Sequence, residues 1–437
     1  MTPRFSIRVS MCVAMVLLCA LRLRAQATLP SDFAPELPTI PNATFHVMDY
    51  GAVPDGKTMN TSALQGAIDA CSKAGGGTVL VPKGTYLTAP LHLASRLNLH
   101  LDAGATILMT DNPADFKTTS NRRLANCITA ADCHDLEITG DGTIDGNGAS
   151  FWKTFRAAQT QPAELQPPHR PMLIVIQRCN RLLVRGVTLK DSPMFHLVPQ
   201  MCREVTIDSI HILAPQFSPN TDGIDPSGID YLIEHCTIDN GDDNIALKPG
   251  IRIDPNRAAC ENFLVTDCTF GHGHGMSIGS GSAGGVENLL VRNCTFTGTD
   301  AGIRLKSFRG RGGLAEHLTY ENLDMKDVKV AILITSYYPR IPADPQNDPA
   351  QPVNERTPIW RHILIKDVTA SGGQTAARIV GLAEMPISDL TMENVHITAE
   401  KPMQMVYADD VHMIDSSIEA DDGTPPAIID AKIEEQK

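Results

Sequence analysis

Aromatic residues are scarce in this chain of 437 residues, and the composition does not favour helices. Aromatic residues make up 5% of it, with two tryptophans, whereas there are 33 glycines and 30 prolines. Glycine and proline disrupt helix interiors and are typical of turns, so this composition favours many short strands over a bundle of helices. The length allows either one large core or two to three ordinary domains.

Long apolar segments are also missing, apart from one short run at the amino terminus. Residues 11–21 read MCVAMVLLCAL, after the basic residues Arg4 and Arg8 and before small residues that end at Ala27. The run is too short to span a membrane, and this order of segments is typical of a secretory signal peptide. We therefore expect residues 1–27 to be a removed signal, with a retained anchor as the alternative. The mature protein would be secreted or periplasmic, without stable membrane insertion.

Basic residues are outnumbered by acidic ones. The formal net charge is −13, and loss of residues 1–27, which carry four arginines and no acids, would make it −17. An acidic surface repels nucleic acid, so we expect no nucleic-acid partner. No pair of cysteines has CxxC spacing, which disfavours a zinc site. Nine cysteines follow residue 27, and because this number is odd they cannot all form internal disulfides.

A repeated segment runs through most of the chain. Each copy, such as LIEHCTIDN, contains short alternating strands rich in Val, Ile and Thr, separated by Asn, Asp and Gly. Most copies are 21–32 residues apart, which leaves no room for a crossover helix, so the pattern predicts a parallel β-helix. Longer gaps hold Pro-rich insertions at about 147–171 and 337–358. The equivalent apolar residues are Ile138, Val184, Ile207, Ile233, Val265, Val291, Tyr320, Ile365, Met392 and Met413.

The segment before the repeats predicts a helix. In NTSALQGAIDACSKAGGG the apolar residues recur at helical spacing over about residues 61–74, with Thr61 or Ser62 as the cap and Gly75 as the stop. Because the open end of a solenoid needs a cover, we expect this helix to close the coil. Residues 28–437 would then form a single all-β domain.

Cysteines recur at fixed positions of the repeat. Such residues form a ladder along the coil, and we interpret them mostly as buried thiols that pack as small apolar side chains. Disulfides are the alternative. One position holds Cys236, Cys268 and Cys294, and another holds Cys133, Cys179, Cys202 and Cys260.

Three consecutive repeats can be aligned by their strands, DNIALK, HGMSIG and AGIRLK. The alignment places Asp243 and His274 in one column, and the preceding turn adds Asp222 to it. Neighbouring turns lie about 5 Å apart, and Asp242 adjoins the column. The sequence therefore predicts an outward cluster of three acids and one histidine.

This cluster has the composition that glycoside hydrolysis requires, namely one protonated and one ionised carboxyl group. Packing like charges together raises at least one pKa, so adjacent Asp242 and Asp243 could supply the acid. Arg304 and Lys306, two residues apart on one face, would bind a negatively charged substrate. The alternative is that the Gly-Asp-Asp-Asn segment is only a turn.

Four short motifs occur in order along the chain, NTD (220–222), GDD (241–243), GHG (273–275) and RLK (304–306). Through these motifs the chain resembles the polygalacturonases, glycoside hydrolase family 28, over roughly residues 45–400. The resemblance implies a right-handed parallel β-helix, the fold of that family. The usual last motif of the family is Arg-Ile-Lys, whereas this chain has Leu305 at the middle position.

The resemblance implies a role for each matched residue. The catalytic positions would be Asp242 as general acid, Asp222 and Asp243 as the pair that activates water, and His274 beside the acid. The substrate-binding positions would be Arg304, Lys306, Asn220 and Tyr337.

The resemblance implies an inverting hydrolase of the α-1,4-galacturonosyl bonds of pectin, with no metal and no cofactor. We expect a monomer whose partner is the polysaccharide, and the two insertions could close one end of the groove and make it exo-acting. Rhamnogalacturonan or a substituted galacturonan is an alternative substrate. A calcium-dependent pectate lyase and a non-catalytic carbohydrate-binding surface protein are the alternatives of another class.

Overall fold

The structure is a computed structural model that describes residues 29–30, 33–119, 123–162, 166–252 and 257–436. The predicted signal peptide at 1–27 lies outside these residues. No helix in the described ranges is long and apolar enough to cross a membrane.

Strands dominate the described chain, with two α-helices and three short 3₁₀ helices beside them. The helices are α1 (Thr61–Lys73) and α2 (Ala149–Ala158), and the 3₁₀ helices are Val47–Tyr50, Pro113–Phe116 and Pro345–Asn347. The strands are β1 (Thr44–His46), β2 (Asp55–Met59), β3 (Gly77–Val81), β4 (Gly84–Thr88), β5 (Leu91–His92), β6 (Leu97–Leu101), β7 (Ala105–Met109), β8 (Ile128–Ala131), β9 (His134–Gly140), β10 (Thr143–Asp145), β11 (Ile174–Gln177), β12 (Asn180–Arg185), β13 (Thr188–Lys190), β14 (Leu197–Gln200), β15 (Cys202–Asp208), β16 (His211–Leu213), β17 (Gly228–Glu234), β18 (Thr237–Asp239), β19 (Ile245–Leu247), β20 (Cys260–Thr266), β21 (Thr269–Phe270), β22 (Met276–Gly279), β23 (Val286–Thr297), β24 (Ala301–Lys306), β25 (Leu314–Lys326), β26 (Val330–Thr335), β27 (Ile359–Val380), β28 (Ile387–Lys401), β29 (Gln404–Ile414), β30 (Ser417–Ala420) and β31 (Ala427–Gln436).

Successive turns of the coil stack in parallel and in one register. The ten equivalent residues of the repeat pair in unbroken order, from Ile138 against Val184 to Met392 against Met413. Each strand pairs with the strand one turn before it and one turn after it, as in a solenoid. The predicted all-β parallel β-helix is therefore confirmed.

The interior of the coil is filled by ladders of like side chains. Tyr231 and Phe263, in adjacent turns, stack with ring centroids 4.4 Å apart. The nine described cysteines are all free and buried, as predicted for thiols that pack as small apolar groups. Desolvation of the buried thiol raises the pKa of Cys71 to about 11, which keeps it protonated.

The corners of the coil explain why Asn and Asp recur in the repeat. Asn262 donates to Asp230 at 2.8 Å in the previous turn and accepts from Asn288 at 3.0 Å in the next. All three have left-handed backbones with φ of 58–64°, a conformation that Asn and Asp tolerate better than most residues. This ladder of Asn and Asp side chains therefore stabilises the same corner in successive turns.

Helix α1 covers the amino-terminal end of the coil, as predicted. Its buried residues Leu64, Ala67, Ile68 and Cys71 face the first strands. The predicted cap is wrong, because Asn60 occupies the N-cap position and its side chain binds the backbone of Val53 instead of the helix.

Both insertions are built into the body of the protein. The segment 147–171 contains α2, which the sequence analysis did not predict, and Trp152 on it donates to the carbonyl oxygen of Ser192 at 3.0 Å. Trp360, just after the segment 337–358, donates to Ser336 Oγ at 3.2 Å and is buried. Both tryptophans therefore pack against the coil.

Replacement of Leu64 by Ala should destabilise the protein by about 2–5 kcal/mol, because it removes a buried side chain from the cover of the coil. The change in free energy of unfolding can be measured by denaturant titration followed by circular dichroism. Exposed Ser62 on the same helix is the control, and its replacement by Ala should change stability by less than about 0.5 kcal/mol. Equal effects of both substitutions would show that the cover contributes nothing.

Candidate active site

The candidate site lies on the face formed by β14, β19, β22 and β24, here called the site sheet. Ile245 pairs with Met276, and Met276 pairs with Ile303. Ile224 joins the same row through isolated bridges to Leu197 and Ile245. These apolar side chains are fully buried inside the coil, so the register that the sequence predicted is confirmed.

Asp243 is the most constrained acid on the site sheet. Its carboxylate accepts hydrogen bonds from Ser277 Oγ at 2.8 Å, from Lys306 Nζ at 2.7 Å and from Arg304. Burial alone would raise its pKa, but the charges of Lys306, Lys248 and Arg304 outweigh burial and hold the pKa of Asp243 far below its usual value. Asp243 is therefore a fixed carboxylate.

Asp242 points toward His274 instead of sharing the contacts of Asp243. His274 Nδ1 lies 3.0 Å from Asp242 Oδ1, and His274 Nε2 lies 3.3 Å from Asp300 Oδ2. Burial disfavours the imidazolium, but the hydrogen bonds to Asp242 and Asp300 raise the pKa of His274 to about 9. Burial likewise raises the pKa of Asp242, but the bond to His274 outweighs it and leaves that pKa below its usual value.

Asp300 is a site residue that the sequence analysis missed. It lies three residues before Ile303, just as Asp242 lies three residues before Ile245, so the two acids share one column of the repeat. Gly273 occupies the turn between them and has no side chain. That gap lets His274 bridge the two carboxylates, and the repeat alignment contained the signal.

Asp222 and Asp225 form a second acidic pair, held by Lys248. Lys248 Nζ lies 3.0 Å from Asp222 Oδ2, 3.5 Å from Asp243 Oδ2 and 3.6 Å from Asp225 Oδ2. Asp222 Oδ1 and both carboxylate oxygens of Asp225 are buried and accept no hydrogen bond from any described residue. Lys248 thus lies within 3.6 Å of three acids.

Burial raises the pKa values of the two carboxyl groups in this second pair, Asp222 and Asp225. Desolvation and the charges of Asp242 and Asp243 raise the pKa of Asp222 to about 6, against the opposing effect of Lys248. Desolvation and the charge of Asp222 raise the pKa of Asp225 well above its usual value. The adjacency of Asp242 and Asp243 therefore does not by itself give Asp242 a raised pKa in the free protein.

The turn before Asp242 depends on a glycine and on a buried arginine. A Cβ atom on Gly241 would lie 2.1 Å from the carbonyl oxygen of Ser218, so only glycine fits there. Arg170 donates to Asn220 Oδ1 at 2.7 Å, and the Asn220 amide donates to Asp242 Oδ2 at 3.4 Å. Arg170, which the sequence analysis missed, therefore orients Asn220 beside Asp242.

The predicted substrate-binding residues divide into two groups. Arg304 is partly exposed beside the cluster, whereas the Lys306 side chain is 4% exposed and bound to Asp243. Tyr337 does not lie against these two cations, because its hydroxyl donates to Asp348 at 2.9 Å. The neighbouring Tyr338 does, with its ring centroid 5.3 Å from Lys306 Nζ and 6.0 Å from Arg304 Cζ.

A cation would fit this cluster poorly. Asp242, Asp243 and His274 each offer a ligand atom, and these atoms lie within 4.8 Å of one another. However, Lys306 and Arg304 already bind the oxygens of Asp243, so an added cation would face two fixed positive charges.

The clustered acids on the outer face of the coil, with a histidine and basic residues beside them, are the groups that a glycoside hydrolase uses. Residues 71–414 match the glycosyl hydrolases family 28. The chain is 30% identical to a probable polygalacturonase of Vitis vinifera over 397 residues, which cover 85% of this chain and 78% of the relative. It is 31% identical to an endo-polygalacturonase of Pectobacterium carotovorum subsp. carotovorum, over 79% of this chain and 86% of the relative.

A solved structure gives the same result. The hyperthermoactive exopolygalacturonase of Thermotoga maritima superposes with a TM-score of 0.73 and 29% sequence identity, over 85% of this chain and 90% of that chain. The chain belongs to the glycosyl hydrolases family 28 and is a glycoside hydrolase. This confirms the hydrolase prediction over the lyase and over the non-catalytic binding protein.

Replacement of Lys248 by Met should move the acid limb of the pH–activity profile to higher pH. The family resemblance assigns Asp222 to water activation, and a carboxyl group must lose its proton to act as a base. The pKa of Asp222, about 6, would rise further without the nearby cation. Activity near pH 5 should therefore fall more than activity near pH 7, and Lys248→Arg should restore most of the profile. A profile of unchanged shape in the Met variant would exclude this role.

Proposed function

We propose that this hydrolase cleaves α-1,4-galacturonosyl bonds of pectin with inversion of configuration. The observation that carries the proposal is the position of Arg304, partly exposed and next to Tyr338, immediately beside the Asp242–Asp243 pair. A guanidinium group there can bind the carboxylate of a uronic acid at the bond to be cut. The names of the relatives, which are polygalacturonases, support the same substrate.

Asp242 acts as the general acid in this proposal. Its carboxyl group is the most exposed of the three clustered acids, and its Oδ1 lies 3.0 Å from His274 Nδ1, so the two groups can share a proton. A bound sugar removes water from Asp242 and brings its own negative charge to the site, and both changes raise the pKa of a carboxyl group. The shared proton then moves to Asp242 and from there to the leaving glycosidic oxygen.

Asp222 and Asp243 activate the attacking water. Asp243 is ionised and fixed by Lys306, so it can hold a water in place without taking up a proton itself. One oxygen of Asp222 binds Lys248, and the other accepts no hydrogen bond from the part of the chain that the structure describes. In this proposal the second oxygen accepts the proton of that water. An inverting enzyme needs such a base on the face of the sugar opposite the acid.

Exo action is the finer part of the proposal, and the segment 147–171 supports it. Arg170 at its end donates to the carbonyl oxygens of Pro193 and Pro219, both at 2.7 Å, and Arg156 on α2 covers the ring of Phe217. These contacts hold the segment against the turn that carries Asn220, next to the proposed acid. In this proposal the segment closes the groove at that end, which leaves room only for the end of a polymer.

Export follows as part of the proposal, since pectin is an extracellular polymer. Its support is the sequence pattern of residues 1–27, which lie outside the described chain.

Replacement of Asp242 by Asn should reduce the turnover of polygalacturonate by at least about 10²-fold, because the amide cannot donate a proton. Release of reducing ends measures turnover, and circular dichroism checks the fold. Asp239, three residues earlier and paired with the exposed His272, is the matched control. Asp239→Asn should stay near the parent rate. An Asp242→Asn rate within about tenfold of the parent would exclude Asp242 as the acid.

Digestion of polygalacturonate should release only the shortest product from the first time point, with a slow loss of viscosity. An exo enzyme cuts at chain ends and leaves the remaining polymer long. Chromatography of the products over time makes the measurement, and a digest by an endo-acting enzyme provides the comparison. An early ladder of intermediate oligomers would contradict exo action while leaving the substrate assignment intact.

A further inference from the structure

A second pocket adjoins the acidic cluster at the carboxyl ends of the site strands. Its volume is about 490 Å³, and its lining includes Phe195, Lys248, Gly281, Arg311 and Arg356. Lys248 connects it to the cluster, because the same ammonium group lies 3.0 Å from Asp222. A chain bound at the acids can therefore extend into this pocket.

The loop after β24 directs two arginines to different sides. Arg309 forms ion pairs with Asp348 and Glu384, so its charge is compensated within the protein. Arg311 lines the pocket instead, beside Gly281, where a Cβ atom would come within 2.9 Å of the guanidinium nitrogen Nη2. Because Gly281 has no side chain, the guanidinium group of Arg311 can lie against its backbone.

The insertion 337–358 brings a second arginine, Arg356, to the lining of the same pocket. The carbonyl oxygen of Arg356 accepts hydrogen bonds from the amides of Gly310 and Gly312, each at 3.0 Å. These two bonds join the insertion to the loop that carries Arg311. The two arginines therefore line one pocket because two separate segments are held together by the backbone.

The two guanidinium groups of this pocket have no acidic partner in the described part of the chain, unlike Lys248, which pairs with the acidic cluster. Neither Arg311 nor Arg356 forms an ion pair with an acid among the described residues, whereas Arg309 in the same loop contacts two. On a chain with a net charge of −13, two such cations in one pocket are well placed to receive an external anion. Phe195 adds an aromatic surface on which a sugar ring can pack.

We infer that this pocket is a second acidic-sugar subsite, in which Arg311 and Arg356 bind the carboxylate of a uronate residue away from the bond that is cut. The inference rests on the proposed pectic substrate. It assigns the insertion 337–358 the role of supplying one of the two arginines. It also predicts a preference for unesterified chains, since a methyl ester removes the charge that the guanidinium groups would bind.

The experiment compares Arg311→Gln, Arg356→Gln and Arg340→Gln in the full enzyme. Arg340 is exposed on the same insertion and does not line the pocket, so it controls for the loss of one positive charge. For unesterified polygalacturonate, each pocket variant should raise KM about tenfold with kcat within about twofold. The shortest hydrolysable oligomer should be affected less, and the preference for unesterified over methyl-esterified polymer should shrink.

The outcomes separate this inference from the proposed function. If the parent enzyme hydrolyses polygalacturonate and the pocket variants behave like Arg340→Gln, the subsite is excluded and the proposed function stands. If the parent enzyme does not hydrolyse polygalacturonate at all, the proposed function fails first. A loss confined to kcat would also overturn the subsite, because binding in the pocket would not have changed.

Discussion

The parallel register of the site strands is the constraint on which the whole site depends. Ile245, Met276 and Ile303 stack inside the coil, and burial of these side chains fixes which residues face outward. A shift of one residue would send Asp243 into the interior and the apolar residues into solvent. The hydrophobic core and the catalytic geometry are therefore specified by the same alternation along each strand.

Burial and charge distribute the protons within this arrangement. Asp243 is buried but lies against Lys306 and Arg304, so its charge is stabilised. Asp222 is buried and, within the described ranges, forms an ion pair with Lys248 alone, and burial raises its pKa to about 6. Two acids of the same residue type in adjacent turns thus differ in pKa because their neighbouring cations differ in number.

The two insertions lie on the outer surface of the coil, which the repeated strands do not cover themselves. The segment 147–171 reaches the acid end of the site through Arg170, and the segment 337–358 reaches the opposite side through Arg356. Both are fixed by hydrogen bonds to backbone carbonyl or amide groups. A uniform solenoid presents a long concave surface, and in the proposed function these segments give it an end and a second binding position.

The sequence by itself determined the coil, its register and the stacking of Asp222, Asp243 and His274, because period-2 alternation and a repeat of nearly constant length leave one way to bury the apolar residues. Asp300 was also within reach of the alignment. The tertiary structure decided that Tyr338, and not Tyr337, lies against the basic pair, and that Asn60 occupies the N-cap position of the first helix while its side chain binds Val53. Tyr337 and Tyr338 are adjacent in an irregular segment, where no repeat in the sequence predicts the direction of each side chain.

The tertiary structure alone also decided which carboxyl groups carry the raised pKa values. That outcome depends on Lys248, Arg304 and Lys306 reaching back to acids 26 to 63 residues away in the sequence. Long side chains can turn either way from their strands, and only the packed neighbours settle their direction. The repeat therefore fixes where the backbone places each charge, and the folded surroundings fix what each charge contacts.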